Sequence, residues 1–281
     1  MNNFKPYFLN IKGNLIEINK PWVMGILNVT PDSFFDGGHY TSNELALKHC
    51  EKMLNEGAHI IDIGGQSTRP NSDLITEEEE LKRVIPVIEL ILKEFPNTLL
   101  SIDTFYAKVA QEAIDAGASI VNDISAGEND NLMLATLAKL KVPYIAMHKQ
   151  GTSKTMQINP EYDDVTADVM RYLAHKKEEC TLLGIKDVII DLGFGFGKTI
   201  AHNFQLLKYL QVFESLNCPI LVGISRKGMI YKTLNTDAKN ALTGTIAANT
   251  IALMKGAQII RVHDVKETVE TIKIVEQLNS Q

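Results

Sequence analysis

The sequence predicts an α/β fold, a (β/α)8 TIM barrel that follows a short N-terminal β-hairpin. Eight short apolar runs rich in Val and Ile recur along the chain, and segments with helical spacing lie between and after them. Apolar runs of this length are typical of parallel strands that helices cover on both faces. A right-handed series of eight such units closes into a barrel. An open, doubly wound sheet is the main alternative.

The hairpin is the first predicted element. Gly13 and Asn14 lie between two apolar stretches within residues 1–20, which favours two short antiparallel strands joined by a tight turn. We expect this hairpin to cap the bottom of the barrel. No linker marks off a further unit, so we predict a single domain over residues 1–281.

Predicted strands and helices then alternate to the end of the chain. Several predicted helices end at a glycine placed as a C-cap, and a short loop leads from it to the next strand. Thr76 and Glu79 are spaced to form a capping box. The predicted strands cover residues 21–29, 59–65, 98–104, 119–125, 143–148, 187–193, 219–225 and 258–264; the predicted helices cover residues 41–57, 76–95, 106–117, 131–141, 160–184, 200–216, 238–256 and 265–278.

The composition is ordinary for a globular enzyme or binding protein. The chain is 45% hydrophobic, and its net charge of -6 does not favour nucleic acid or an anionic membrane as a partner. Its three cysteines are odd in number and form no CxxC pattern, which argues against a zinc site or a disulfide framework. Residues 1–20 lack the apolar core of a signal peptide, and no apolar stretch reaches membrane-spanning length. We therefore expect a cytoplasmic protein.

Polar residues end all eight predicted strands. In a (β/α)8 barrel the carboxyl ends of the strands open onto one face, where the active site lies. We therefore expect these side chains to converge on a single pocket. They are Asn28, Asp62, Asp103, Asn122, His148, Asp191, the triplet 225–227 and the triplet 261–263.

The polar strand ends fall into two chemical groups. Asp103, Asn122 and Asp191 follow apolar strands, where a buried carboxylate needs hydrogen-bond donors to offset its desolvation. The adjacent N–H groups of an amino-heterocycle would supply such donors. Asn28 offers an amide oxygen to a hard cation such as Mg²⁺. The cationic group suits a phosphate or a carboxylate, and an arginine in it also stacks on a flat ring; its members are Arg69, Lys227, Arg261 and His263.

Three other features are given ordinary interpretations. GFGFGKT at residues 193–199 resembles a phosphate-binding loop, but Leu192 stands where that motif needs a glycine. The serines show no spaced His and Asp partners, so we do not expect a serine nucleophile. The acidic run 77–80 is interpreted as the solvated start of a helix.

Several long motifs in a fixed order resemble those of the dihydropteroate synthases, pterin-binding enzymes of folate biosynthesis. The resemblance covers almost the whole chain. It rests on NVTPDSF (28–34), DIGGQSTRP (62–70), SIDT (101–104), VNDIS (121–125), MHKQGTSKTMQ (147–157), GFGFGK (193–198), GISRKGMI (223–230) and RVHDV (261–265).

The resemblance implies a transferase that joins 4-aminobenzoate to (7,8-dihydropterin-6-yl)methyl diphosphate and releases diphosphate. It implies that three strand-end residues bind the aminopyrimidinone edge of the pterin, namely Asp103, Asn122 and Asp191. Lys227 would contact the pterin ring, and Arg261 would stack over it.

The same resemblance assigns residues to the other reactants. The diphosphate would be held, together with a Mg²⁺ cofactor, by Asn28, Arg69 and His263, and Asn28 is the expected metal ligand. The aminobenzoate would be bordered by Thr68, Pro70, Phe194 and Ser225, with the helix start after Ser225 facing its carboxylate. The predicted substrate-binding set is completed by Met147, Gly223 and Val262. The predicted catalytic residues are Asn28, Arg69, Lys227 and His263.

We expect an SN1-like mechanism, because the residues offer no obvious covalent nucleophile and no clear general base. The carbon–oxygen bond to diphosphate would break first, since the electron-rich pterin stabilises the carbocation. The enzyme would bind the leaving charge, and loops that are mobile in the family would exclude water. The resemblance also implies a homodimer and a sulfonamide target.

The chain departs from the family pattern at four positions, and three other functions remain as alternatives. The departures are Gln66 for Glu, Lys149 for Met, Leu192 for Pro and Gly228 for Ser. The nearest alternative is a pterin-binding methyltransferase of the corrinoid type, which has no diphosphate to bind. A non-catalytic pterin-binding module and a phosphate-sugar isomerase are the other two.

Overall fold

The computed structural model describes residues 4–30, 42–66, 74–151, 156 and 160–279. Within these residues eight parallel strands form a closed barrel in chain order, and the last strand pairs with the first. The predicted (β/α)8 fold is confirmed, and the open-sheet alternative is wrong. The barrel strands are β3 (Trp22–Asn28), β4 (Ile60–Gly64), β5 (Leu99–Asp103), β6 (Ile120–Asp123), β7 (Tyr144–Met147), β8 (Val188–Asp191), β9 (Ile220–Val222) and β10 (Ile259–Val262).

Helices surround the barrel, and all eight predicted helices are present. Within the described residues none of them is both long and apolar enough to cross a bilayer. The helices are α1 (Ser42–Asn55), α2 (Glu77–Glu94), α3 (Ala107–Asp115), α4 (Met133–Leu140), α5 (Val165–Leu182), α6 (Ile200–Lys208), α7 (Gly228–Tyr231), α8 (Leu242–Met254) and α9 (Val265–Asn279).

The helix boundaries differ from the prediction where local hydrogen bonds decide them. The predicted helix 160–184 begins only at Val165, because the Asp164 carboxylate caps the N–H groups of the next turn. The predicted helix 200–216 is α6 followed by a 3-10 helix over Leu210–Leu216, and the short α7 was not predicted. At α2, Thr76 accepts the predicted bond from the Glu79 N–H, while the Glu79 carboxylate pairs with Arg83.

The N-terminal hairpin is formed by β1 (Tyr7–Ile11) and β2 (Asn14–Ile18), which pair antiparallel. Its turn lies at Lys12 and Gly13, one residue earlier than expected, and both have the positive φ that a tight two-residue turn requires (52° and 82°). The hairpin closes the bottom of the barrel, as predicted. Three of its side chains pack against the inward-facing residues at that end, namely Leu9, Ile11 and Ile18.

Alternation along each strand decides which side chains enter the barrel. In β4, Ile60 joins the core cluster at the bottom of the barrel, and Ile61 packs outward against the helices. The next residue, Asp62, again faces inward, where it contacts polar groups of other strands. In β8 the same position is taken by Asp191. The barrel therefore has an apolar bottom and a charged mouth.

Gly193→Ala should destabilise the fold much more than Gly184→Ala. Both glycines have positive φ (67° and 83°), so alanine is strained at either position. A Cβ on Gly184 would meet open space, but a Cβ on Gly193 would overlap the main-chain oxygen of His148. We expect Gly184→Ala to lower the free energy of unfolding by about 1–2 kcal/mol, and Gly193→Ala by at least about 2 kcal/mol more. Urea unfolding measures both, and equal losses would contradict this placement of the turn.

Candidate active site

A cavity opens at the carboxyl ends of the barrel strands, where the polar strand ends were expected to meet. It brings together seven of the predicted site residues. Ile124 and Phe196 also line it, although neither was predicted. The seven are Asp103, Asn122, Met147, Asp191, Gly223, Lys227 and Arg261.

Arg261 joins two carboxylates across the mouth of the barrel. Its Nε donates to Asp62 Oδ2 at 2.6 Å, and its Nη2 donates to Asp103 Oδ2 at 2.7 Å. The Asn122 amide donates to the same Asp62 oxygen at 3.0 Å. Burial raises the pKa of Asp103 to about 7, although Arg261 opposes the shift. Burial also disfavours the charge on Arg261, but Asp62 and Asp103 together raise its pKa above the ordinary value.

Lys227 and Asp191 form a second pair of opposite charges in the cavity. Burial lowers the pKa of Lys227 to about 8, and it raises the pKa of Asp191; each group opposes the other's shift. The Lys227 ammonium donates to the main-chain oxygen of Phe194 at 2.6 Å and lies 4.8 Å from the ring centroid of Phe196. Asp191 Oδ1 accepts from the Gly193 N–H at 2.8 Å. The glycine-rich turn thus fixes both charged groups.

A buried lysine organises that turn from below. Lys198 is only 3% exposed, and its Nζ donates to the main-chain oxygens of Gly193 (2.9 Å) and Phe196 (3.0 Å). It also lies 2.9 Å from Nδ1 of His148. Burial lowers the pKa of Lys198 to about 7, with Asp191 opposing the shift. These bonds hold the turn against β7 and place Phe196 at the cavity.

Ser225 and His263 meet at the side of the mouth formed by the loops after β9 and β10. Ser225 Oγ lies 3.1 Å from Nδ1 of His263 and accepts the His263 main-chain N–H at 3.3 Å. Desolvation by the surrounding protein, and then the Arg261 guanidinium, lower the pKa of His263. The residue is nevertheless exposed at the mouth, where a ligand can reach it.

Asn28 ends β3 next to the acidic group. Its Oδ1 lies 3.6 Å from the place where a Cβ on Gly64 would stand, and Asp103 lies equally close to that place. In the part of the chain that the structure describes, no group of three or more His, Cys, Asp or Glu side chains could hold a metal ion by itself. A Mg²⁺ at Asn28 would take most of its oxygens from a ligand, which is a usual pattern for that ion.

Several predicted site residues lie elsewhere or outside the described residues. Thr68, Arg69 and Pro70 belong to the segment 67–73, which is outside them. The side chains of Phe194 and Val262 are fully buried in the outer core between strands and helices. Their binding roles stay predictions that this placement does not favour. The helix after Ser225 has only four residues, so little helix dipole is available for a carboxylate.

Asp62 was predicted to face the pocket as a polar strand end but was assigned no binding role, and it occupies the same inward position in its strand as Asp191. Three residues of the site region were not among the predicted site residues, namely Ile124, Phe196 and Glu80. Glu80 was interpreted as solvated, but it is fully buried and receives a 2.9 Å bond from the Thr104 hydroxyl. Glu80 lies four residues before Val84 on the buried face of α2. This helical spacing could have predicted from the sequence that Glu80 is buried. Phe196 had no such signal, because a loop has no period.

The four departures from the family pattern have clear local settings. Gln66 Oε1 accepts the Ile75 N–H at 2.9 Å, and Leu192 is fully buried in the outer core. Lys149 donates to Asn129 Oδ1 at 2.7 Å. A Cβ on Gly228 would meet only ordinary contacts, so this position tolerates a serine.

The fold and the cavity together define a (β/α)8 barrel enzyme of the pterin-binding class. Residues 24–263 match the model of the family described as pterin binding enzyme. The chain belongs to this family.

Several proteins similar to this chain are dihydropteroate synthases. The one from Escherichia coli (strain K12) is 48% identical over 267 residues, which are 94% of each chain. The Yersinia pestis dihydropteroate synthase, solved with a sulfonamide drug complex, has a TM-score of 0.92 at 46% identity and covers 98% of this chain and 100% of its own. The Xanthomonas albilineans dihydropteroate synthase in complex with 7,8-dihydropteroate has a TM-score of 0.89 at 38% identity, with coverage of 98% and 100%.

Glu80→Gln should change how stability depends on pH. Burial raises the pKa of Glu80 to about 7 from 4.5, so the folded chain holds this proton more tightly than the unfolded chain. The wild type therefore loses stability as the pH rises through this interval. A glutamine still accepts the Thr104 hydroxyl but does not titrate.

When the pH is raised from about 5 to about 8, we expect the free energy of unfolding of Glu80→Gln to rise by roughly 1–3 kcal/mol relative to that of the wild type. Urea unfolding at both pH values measures the difference. Glu78→Gln, on the exposed face of the same helical turn, is the matched control and should show little change. A pH-independent difference at position 80 would show that Glu80 is ionised throughout.

Proposed function

We propose that the chain is a dihydropteroate synthase. It would condense 4-aminobenzoate with (7,8-dihydropterin-6-yl)methyl diphosphate, form 7,8-dihydropteroate and release diphosphate. The observation that carries this proposal is one cavity in which Asp103, Asn122 and Asp191 lie with Lys227 and Arg261. Membership of the pterin-binding family, and the complex of the Xanthomonas relative with 7,8-dihydropteroate, support it.

The acidic side of the cavity suits the donor edge of a pterin. The aminopyrimidinone edge presents N–H groups, and the carboxylates of Asp103 and Asp191 accept them while the Asn122 amide adds a further polar contact. Each charge-assisted bond of this kind contributes about 1.5–3 kcal/mol. Arg261 is held by Asp62 and Asp103, so its planar guanidinium is already fixed for stacking on the ring.

Residues at the carboxyl ends of β3 and β10, and in the segment after β4, would bind the departing diphosphate. We assign this to His263, to Asn28 and, by resemblance alone, to Arg69. The lowered pKa of His263 favours a hydrogen bond from a neutral ring, and a bound anion would oppose that shift. When bound, Mg²⁺ supplies positive charge that stabilises the leaving anion. Asn28 would hold the ion through its amide oxygen.

The order of bond changes would be SN1-like. The carbon–oxygen bond breaks first because the electron-rich dihydropterin delocalises the cation, and the arylamine nitrogen then attacks the methylene carbon. The carboxylates of Asp103 and Asp191 favour the cation electrostatically. The apolar bottom of the barrel below the ring limits the access of water from that side.

The wider biological context is also a proposal. Exposed apolar side chains on α6 and α8, namely Phe204, Ile251 and Met254, support a homodimer formed through the later helices. The three cysteines are free and buried, which agrees with a reducing cytoplasm. The sulfonamide complex of the Yersinia relative supports the same drug sensitivity here.

The direct experiment mixes the purified protein with Mg²⁺, the pterin diphosphate and 4-aminobenzoate, and measures dihydropteroate. Asp191→Asn should weaken binding of the pterin diphosphate roughly 10- to 100-fold, because an acceptor is replaced in part by a donor. Calorimetry measures this, with Asp115→Asn on the exposed end of α3 as the control. Near-normal affinity of Asp191→Asn for the pterin diphosphate would contradict the assignment of Asp191. A wild-type protein that binds a corrinoid and forms no dihydropteroate would favour the methyltransferase alternative.

Removal of Mg²⁺ should stop the reaction reversibly. The diphosphate then leaves without its counter-charge, so we expect turnover to fall at least about 100-fold with chelator and to return on addition of Mg²⁺. Asn28→Ala should raise the Mg²⁺ concentration needed for half-maximal rate. A rate that the chelator leaves unchanged would remove the metal from the mechanism.

A further inference from the structure

A two-bond salt bridge connects the loops that carry Ser225 and His263. Arg226 Nε donates to Asp264 Oδ2 at 2.9 Å, and Arg226 Nη2 donates to Asp264 Oδ1 at 2.7 Å. Each partner directly follows a predicted site residue in the sequence. Neither Arg226 nor Asp264 lines the cavity.

Arg226 is also fixed to other elements of the fold. Its Nη1 donates to the main-chain oxygens of Ala238 (3.3 Å) and Lys239 (3.0 Å), and its N–H donates to Thr245 Oγ1 in α8 at 3.1 Å. Its φ is 56°, in the left-handed region that non-glycine residues rarely adopt. Such a conformation persists where surrounding contacts hold it. The guanidinium therefore anchors the loop after β9 at several points.

The side chains that precede the two members of the salt bridge, Ser225 and His263, are themselves in contact. Ser225 and His263 touch through Oγ and Nδ1 at 3.1 Å and through the His263 main-chain N–H at 3.3 Å. A bidentate arginine–carboxylate pair fixes both a distance and an angle, which a lysine does not reproduce. A shift of one loop relative to the other would separate this contact. Lys227 has an additional anchor, the main-chain oxygen of Phe194.

We propose that Arg226 and Asp264 are a positioning pair, which holds Ser225 and His263 in register for the diphosphate and the aminobenzoate. The pair does not touch the reactants and leaves the pterin edge, bound by Asp103 and Asp191, unaffected. This inference rests on the proposed function, because it needs these reactants. Misplacement of reacting groups by about 1 Å costs on the order of 100-fold in rate.

The test uses Arg226→Lys, which keeps the charge but loses the planar fork, and Asp264→Asn, which keeps the size but loses the charge. Each should lower kcat/KM for 4-aminobenzoate about 10- to 100-fold at saturating pterin diphosphate. Calorimetric affinity for 6-hydroxymethyl-7,8-dihydropterin, which lacks the diphosphate, should stay within about twofold. The matched controls are Arg171→Lys and Asp168→Asn, a surface ion pair on α5 whose arginine is exposed, and they should change neither quantity.

A double variant separates positioning from general destabilisation. If the two residues act as one unit, Arg226→Lys with Asp264→Asn should lose no more activity than the worse single variant. The proposal would be overturned if the activity losses of the two single variants add in the double variant. It would also be overturned if pterin affinity falls in parallel with activity, or if the folded single variants keep wild-type kinetics. If Asp264→Asn fails to fold, Arg226→Lys alone still shows whether kcat/KM for 4-aminobenzoate falls selectively or together with pterin affinity.

The wild-type assay distinguishes this inference from the proposed function. A wild type that forms dihydropteroate, together with variants of unchanged kinetics, overturns the positioning pair alone. A wild type that forms no dihydropteroate overturns the proposed function and the pair with it.

Discussion

The Arg261 guanidinium between Asp62 and Asp103 is the interaction on which the mouth of the barrel depends. Strand alternation places both carboxylates inside the barrel, where burial costs each of them solvation free energy. Arg261, on β10, forms a salt bridge with both. The bridge spans strands that are not neighbours, since β3 lies between β10 and β4. It stabilises the acidic group before a ligand arrives and still leaves carboxylate oxygens to accept hydrogen bonds. Within the described residues, Asp62 Oδ1 has no partner.

The opposite end of the barrel shows why the fold tolerates so much buried charge. The hairpin strands β1 and β2 insert apolar side chains into the barrel bottom, and together with the lower inward residues they form a separate core cluster. Inside the barrel, apolar packing therefore lies at one end of each strand and polar chemistry at the other, while the larger core lies outside, between strands and helices. The same division explains why runs that look uniformly apolar in sequence end in Asp or Asn.

Local patterns predicted the parts of the fold and site that depend on sequence spacing alone. The strands and helices of the barrel follow from hydrophobic periods of about 2 and 3.6 residues, and the polar residues at the strand ends follow from the same pattern. Asp103, Asn122 and Asp191 could therefore be identified as site residues from the sequence. Loops have no period, and the GFGFGK turn shows the consequence. Phe194 and Phe196 are equivalent in the sequence, but the buried contacts of Lys198 decide that only Phe196 reaches the cavity. The salt bridge between Arg226 and Asp264 joins residues 38 positions apart, and no local rule connects them.

The charge state of the cavity follows from two opposing effects, of which burial is the larger. Burial favours a protonated Asp103 and a deprotonated Lys227, while Arg261 and Asp191 oppose these shifts, so the pKa values come to about 7 and about 8. Burial therefore works against the charged forms of both groups. A ligand whose N–H groups donate to Asp103 favours the ionised carboxylate, because hydrogen bonds to a charged form stabilise it. Recognition and ionisation are therefore coupled at this carboxylate: the ligand edge that it binds is also what makes its charge favourable.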